Sequence, residues 1–147
     1  MTANSCCRRG TIIVSKHRPT KRQIAEKQGR RGEWIACWWL RLRGYRLIAR
    51  RWRSPFGEID LIMRKGAMLI FVEVKWRQAI FDTSTVSPHQ QRRILNATTL
   101  FISKHPTFSR NNYRIDIIVI RPSAGFLGMS IHHIPNALSN IGINLDR

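Results

Sequence analysis

The stretch Gly57–Arg77 constrains this chain more than any other. It reads as two apolar β-strands joined by a tight turn at Lys65-Gly66, because β-branched and aromatic residues dominate both arms. Side chains alternate faces along a strand, so Glu58 and Asp60 share one face, and Glu73 and Lys75 share one face. Val72 and Val74 then point the other way, into a core. An even-length turn around Lys65-Gly66 sets Asp60 opposite Phe71 and Glu58 opposite Glu73, with Asp60 and Glu73 diagonal neighbours within reach of a shared ion. An odd-length turn flips one arm and separates them.

Carboxylates are scarce enough for their placement to be informative. The chain has eight Asp and Glu against 26 Lys and Arg, and three of the eight, Glu58, Asp60 and Glu73, lie in this hairpin. Like charges facing each other across a strand pair are destabilising unless something positive intervenes. Two readings stay open: a divalent cation with Lys75 beside it, or a surface hairpin whose Asp60 and Glu73 pair with nearby arginines. Hard oxygen ligands of this kind suit Mg²⁺ or Mn²⁺.

Gly57-Glu58-Ile59-Asp60 followed by Phe71-Val72-Glu73-Val74-Lys75 resembles the YraN family of small bacterial proteins. That family in turn resembles the PD-(D/E)xK nucleases, near the archaeal Holliday-junction resolvases. The similarity runs from about Arg30 to the C-terminus. It implies that Asp60 stands for the motif aspartate and that Glu73 and Lys75 form the Glu-x-Lys half. The proline that commonly precedes the aspartate is Ile59 here, a departure the family shares. It further implies a metal held by Asp60, Glu73 and the Val74 carbonyl, and a homodimer, since resolvase relatives act as symmetric dimers. No dimer face is legible in the sequence.

Thr20-x-x-Gln23 forms a capping box that opens a helix running to about Arg43, with Gly44 as its stop. On it Glu33, Ala36, Cys37, Leu40 and Gly44 recur at three- and four-residue spacing, one stripe that should pack on the sheet. A carboxylate there is costly unless partnered. The resemblance supplies a role, because related resolvases carry a first-helix glutamate that reaches the metal site. The alternative is a glutamate at the rim of the stripe, solvated or paired with Arg30. Trp34, Trp38 and Trp39 widen the apolar surface and are expected in the core, base stacking being the alternative for an exposed ring.

Tyr45–Trp52 reads as the first strand, and Ser54-Pro55-Phe56-Gly57 as the turn into the hairpin. Residues 76–87 lack periodicity and read as a loop beside the site. Ser87-Pro88 starts a second helix to about Lys104, with Ile94, Ala97, Thr98, Phe101 and Ile102 on its core side and Arg92 and Arg93 outside. The family commonly has a lysine where Gln90 stands. Tyr113–Ile120 reads as a buried strand parallel to the motif strand, with Asp116 beside Arg114 read as a structural, salt-bridged carboxylate and a catalytic role as the alternative. Ser130–Ile134 is a final edge strand whose His132 and His133 face opposite ways.

At 147 residues this is one domain, and a net charge of +18 calls for a polyanionic partner, most simply nucleic acid. Residues 1–19 read as a disordered basic tail ahead of a nuclease-like domain over 20–147. No apolar run approaches a membrane span, so no membrane is expected. Cys6, Cys7 and Cys37 form neither a zinc spacing nor a disulfide framework, which fits a reduced, cytoplasmic protein. The expected fold is α/β: a mixed central sheet flanked by helices, with a restriction-endonuclease-like core.

The expected function is a metal-dependent endonuclease hydrolysing phosphodiester bonds in DNA, branched DNA included. Asp60, Glu73, Lys75 and Glu33 are the candidate catalytic residues. Arg50, Arg51, Arg53, Arg77, Arg92 and Arg93 are the candidate nucleic-acid contacts. The alternatives are a catalytically silent nucleic-acid-binding module on the same fold, and a basic protein that docks on an acidic partner.

Overall fold

Met68–Trp76 is apolar on both of its faces over its first half, the signature of a strand covered on both sides. It is β3, the central strand. In the computed structural model, which describes residues 20–77, 86–123 and 128–138, five strands lie in the order β1-β2-β3-β4-β5. They are β1 (Arg46–Ser54), β2 (Gly57–Lys65), β3, β4 (Asn112–Pro122) and β5 (Met129–Ile134). β3 and β4 are parallel and the other pairs antiparallel, so the chain is a single α/β domain on a mixed sheet. The expected tail at 1–19, most of the expected loop after Trp76 and the last nine residues lie outside the described residues.

Helix α1 (Lys21–Leu42) covers one face of the sheet and α2 (Pro88–Lys104) the other. α1 opens with the capping box: Thr20 Oγ1 accepts from the Gln23 N–H at 3.3 Å and Gln23 Oε1 from the Thr20 N–H at 2.9 Å. It closes at Gly44, whose φ of +86° disfavours other residues. Its stripe of Ala36, Cys37 and Leu40 packs on Leu61, Met63, Ile70, Val72, Ile118 and Ile120. On α2, capped by Ser87, Ile94, Ala97 and Phe101 pack on Ile62, Leu69, Phe71, Ile117 and Val119. Each fully buried aliphatic side chain contributes roughly 1.5–3 kcal/mol. The α2 crossover joins β3 to the parallel β4, the connection that parallel strands require. No helix among the described residues is long and apolar enough to cross a membrane.

Two expectations are corrected. The β2–β3 turn is Gly66-Ala67 rather than Lys65-Gly66, because Lys65 pairs with Met68 and Gly66 takes φ +58°. Phe71 therefore faces Ile62, and Asp60 lies two places further along than expected. Since the shift amounts to a whole side-chain period, Asp60 and Glu73 keep a common face. The tryptophans also differ from expectation. Trp39 packs at the edge of the α1-side core, but Trp34 and Trp38 are 56% and 45% exposed. The stripe that meets the sheet is already filled from Gly32 to Leu40, which leaves these two rings on the helix flank.

Asp116 is the structural carboxylate that the sequence suggested. It is wholly buried and accepts from Arg114 Nε (2.9 Å), His133 Nε2 (2.8 Å) and the Asn136 N–H (2.9 Å). Burial alone would raise its pKa, but the bonds from His133, the Asn136 backbone and Arg114 outweigh it and hold the carboxyl below its ordinary value. These contacts tie β4 to β5 and to the turn after it. Asp116→Ala strands their donors, so urea denaturation near neutral pH should show a loss of about 3–5 kcal/mol. A loss under about 1 kcal/mol would contradict this account of the β4–β5 edge.

Candidate functional site

The β2–β3 ladder ends at the pair Leu61 and Val72. Beyond it the Val74 N–H donates instead to Asp60 Oδ2 at 2.8 Å, so a side chain takes a bond that a strand would otherwise make. The irregularity has a cause in β1. Ala49 and Trp52, three residues apart, both pack on the α2-side core, as do Ile59 and Ile62 on β2, which strict alternation forbids. Between them Arg51 has φ +52°, at the point of the β1–β2 register that lies across from Asp60. No residue is inserted there, since Trp52 pairs with Ile59 in the same register as Arg50 with Leu61, and the register shift of this strand pair lies between Leu47 and Ala49. The left-handed backbone at Arg51 is what re-aims the side chains.

On β3, Glu73 and Lys75 continue the face of Leu69 and Phe71, toward α2, while Val72 and Val74 enter the α1-side core. Lys75 Nζ lies 2.6 Å from Glu73 Oε1, and Gln90 Nε2 donates to the same oxygen at 2.8 Å. Gln90 sits one turn into α2, where its own backbone N–H caps on Ser87. Asp60, Glu73 and Gln90 line one pocket with Gly57, Glu58, Arg93 and Ile94. Burial first, and then the Glu73 carboxylate, push Asp60 up to about 7, against the pull of the Val74 N–H and Lys75. Among the described residues Asp60 takes part in no ion pair.

The other carboxylates are accounted for differently. Glu58 is gripped by Arg51 Nε at 2.6 Å and Arg53 Nε at 2.9 Å. Those bonds overcome its partial burial and lower its pKa. Glu33 is buried on α1 with Arg51 Nη1 3.9 Å away, and burial raises its pKa. Its charge is felt at Asp60. Among the described residues, however, no three His, Cys, Asp or Glu side chains gather where they could hold one metal ion. The described geometry therefore brings Asp60 and Glu73 into one pocket and leaves Glu33 linked to Glu58 through Arg51.

Of the arginines singled out in sequence, Arg50, Arg53, Arg77, Arg92 and Arg93 are exposed, whereas Arg51 is half-buried and held by acids of the same chain. Arg93 lines the pocket and donates to the Phe56 carbonyl at 2.7 Å. Gly57 makes room for it: φ is +144°, and a Cβ there would come within 2.8 Å of Arg93 Nη2. Sequence reading gave Gln90 no role in the site. Its signals were the lysine that the family commonly carries at this position and the Ser87 cap, which sets where the first turn of α2 begins.

Residues 32–120 match the sequence model of "Uncharacterised protein family UPF0102". A UPF0102 protein of Chelativorans sp. (strain BNC1) is 44% identical over 102 residues, 69% of this chain and 82% of the relative. One from Sphingopyxis alaskensis is 40% identical over 104 residues, 69% of this chain and 87% of its own length. One from Erythrobacter litoralis is 38% identical over 117 residues, 80% and 97% respectively. The matched span contains Glu33, Asp60, Glu73, Lys75 and Gln90, so pocket and match coincide. The chain belongs to the UPF0102 family, the YraN family of the sequence comparison.

Proposed function

We propose that this protein is a metal-dependent endonuclease that hydrolyses phosphodiester bonds in DNA. The observation that carries the reading is the Asp60 carboxyl, raised to about 7 in a pocket it shares with Glu73 and, among the described residues, in no ion pair with a basic side chain. Such a pair is short of positive charge, and two hard carboxylate oxygens beside a strand carbonyl fit Mg²⁺ or Mn²⁺. Asp60, Glu73 and the Val74 carbonyl would hold the ion, with Glu33 adding negative potential from behind Arg51. Bound there, the ion supplies Lewis acidity to a phosphodiester and makes water a better nucleophile near neutral pH.

The chain's own groups divide the remaining work. Lys75, anchored on Glu73 Oε1, offers an ammonium that offsets charge on the phosphoryl oxygens and orients the attacking water. Gln90 fixes the rotamer of Glu73, and Arg93 at the pocket wall binds a phosphate oxygen. Exposed Arg50, Arg53, Arg77 and Arg92, within a net charge of +18, track the backbone. One observation favours a second reading, a silent nucleic-acid-binding module. The Lys75 ammonium already neutralises Glu73 directly, which weakens its pull on a cation.

A cleavage screen over linear, flapped and four-way-junction DNA with Mg²⁺ or Mn²⁺ separates the two readings. The enzyme reading predicts cutting by the wild type and a loss of at least about 100-fold in Glu73→Gln. Glu73→Gln should bind DNA in chelator equally well or more tightly, because a carboxylate near phosphate is gone. Lys75→Met should lose both cutting and affinity. A wild type that binds every substrate and cuts none would move the assignment to the silent module.

The Asp60 carboxyl also sets a pH dependence. Its folded value lies above its ordinary value of 3.8. Without metal, the folded state therefore holds more protons than the unfolded chain between about 4 and 7, and this group's contribution to stability falls as pH rises through that window. A proton and a cation compete for the same oxygens, so Mn²⁺ affinity should rise with pH and level off above about 7. At pH 6 it should be about tenfold weaker than on the plateau. Calorimetry in buffers of different ionisation enthalpy should show close to one proton released at pH 6. Affinity that is flat from pH 5.5 to 8 would mean that Asp60 is not a ligand.

A further inference from the structure

Lys27, Arg31, Trp34, Trp38 and Arg41 recur along α1 at alternating spacings of four and three, so they form one stripe. All five are exposed. The stripe is about 21 Å long at 1.5 Å per residue. The indoles of Trp34 and Trp38 lie side by side, ring centroids 5.4 Å apart and planes at 49°, and the Arg41 guanidinium sits 4.9 Å over Trp38. Two large exposed rings set among cations on a helix are a feature that packing does not explain.

Charge and position both restrict what could cover these rings. The two acids of α1 are used elsewhere: Glu26 pairs with Arg30 at 2.8 Å and Glu33 is buried. The stripe therefore presents cations interleaved with aromatic faces and fits an anionic partner that has planar groups. Trp34 also lines a groove with Lys27, Arg31, Ile35 and Trp76. Trp76 directly follows Lys75 on β3, and α1 meets the strand there closely enough that a Cβ on Gly32 would touch Val74 and Trp76 at 3.5 Å. Trp76 adjoins Lys75 along β3 but packs on the α1 side, so the groove and the pocket of Asp60 and Glu73 lie near the same end of β3 on opposite faces of the sheet.

We propose that this face of α1 binds an unpaired nucleic-acid strand, with bases stacked on Trp34 and Trp38 and phosphates held by Lys27, Arg31 and Arg41. Stacking on an indole needs bases freed from a duplex, whereas phosphate contacts alone do not. A lipid surface fits less well, because the broad apolar stripe of α1 is already spent on the sheet and the exposed Ile24, Trp34, Trp38 and Leu42 are interrupted by Lys27, Arg31 and Arg41. The proposal deepens the nuclease reading by adding an unpaired segment to the substrate, held on the α1 side of the sheet across from the pocket. Binding is nonetheless measurable without metal or cleavage, so either idea can fail alone.

The test uses the full chain in chelator, with labelled oligo(dT) of about twenty nucleotides and a blunt duplex of the same length. Trp34→Ala/Trp38→Ala should weaken oligo(dT) binding at least about tenfold and duplex binding less than about threefold. Trp34→Phe/Trp38→Phe keeps two stacking faces and should stay within about threefold of wild type, which guards against a folding artefact. Lys27→Ala/Arg31→Ala should reduce the log–log salt slope for oligo(dT) by about 1.4, two single-strand phosphates' worth. Unchanged oligo(dT) affinity in the alanine pair, or equal losses on both probes, would overturn the proposal. With oligo(dT) affinity unchanged, conversion of a wild-type dimer to monomer would assign the face to a second copy. Loss of binding to phosphatidylserine vesicles would assign it to a membrane. A wild type that cuts nothing but binds oligo(dT) through the tryptophans would refute the nuclease reading and leave this one standing.

Discussion

The hydrogen bond from the Val74 N–H to Asp60 is the contact on which the site depends. A strand at the centre of a sheet normally spends its amides on its neighbours, and β3 does so up to Val72. At Val74 the partner becomes a carboxylate, and the two strands part. That opening lets the side chains of Asp60 and Glu73 face one pocket rather than a closed ladder. The left-handed backbone at Arg51 is its counterpart on the other side of β2, where it turns a guanidinium toward Glu58 and Glu33. The β2–β3 ladder is thus regular where it carries the core and opens where it carries the carboxylates.

The distribution of charge tells the same story by contrast. With 26 basic residues for eight acids, an acid in this chain should rarely lack a cation. Glu26 has Arg30, Glu58 has Arg51 and Arg53, Asp116 has Arg114 and His133, and Glu73 has Lys75. Asp60 has a backbone amide and a second carboxylate nearby. Leaving one half-buried acid in that state destabilises the fold at neutral pH, and a ligand that supplies positive charge would reverse the penalty.

Much of this was legible in the sequence because it rests on local rules. The capping box at Thr20, the stop at Gly44, the Ser87 cap and the alternation in β3 each depend on a few neighbouring residues. The common face of Asp60 and Glu73 was readable for a sturdier reason, since parity survives an error of one full period in the turn. What could not be read depends on contacts between distant segments. Nothing near Arg51 announces a left-handed residue, and nothing near Gln90 says that α2 lies over Glu73. The exposure of Trp34 and Trp38 is of the same kind. It follows from how little of the circumference of α1 the sheet can cover, which local sequence does not state.

Crystals of the protein exposed to Mn²⁺ and measured at the manganese edge test the central claim directly. The account predicts an anomalous peak in contact with carboxylate oxygens of both Asp60 and Glu73, absent from crystals of Asp60→Asn treated identically. A wild-type crystal with no peak in that pocket at saturating Mn²⁺, or with a peak only at other acids, would contradict it.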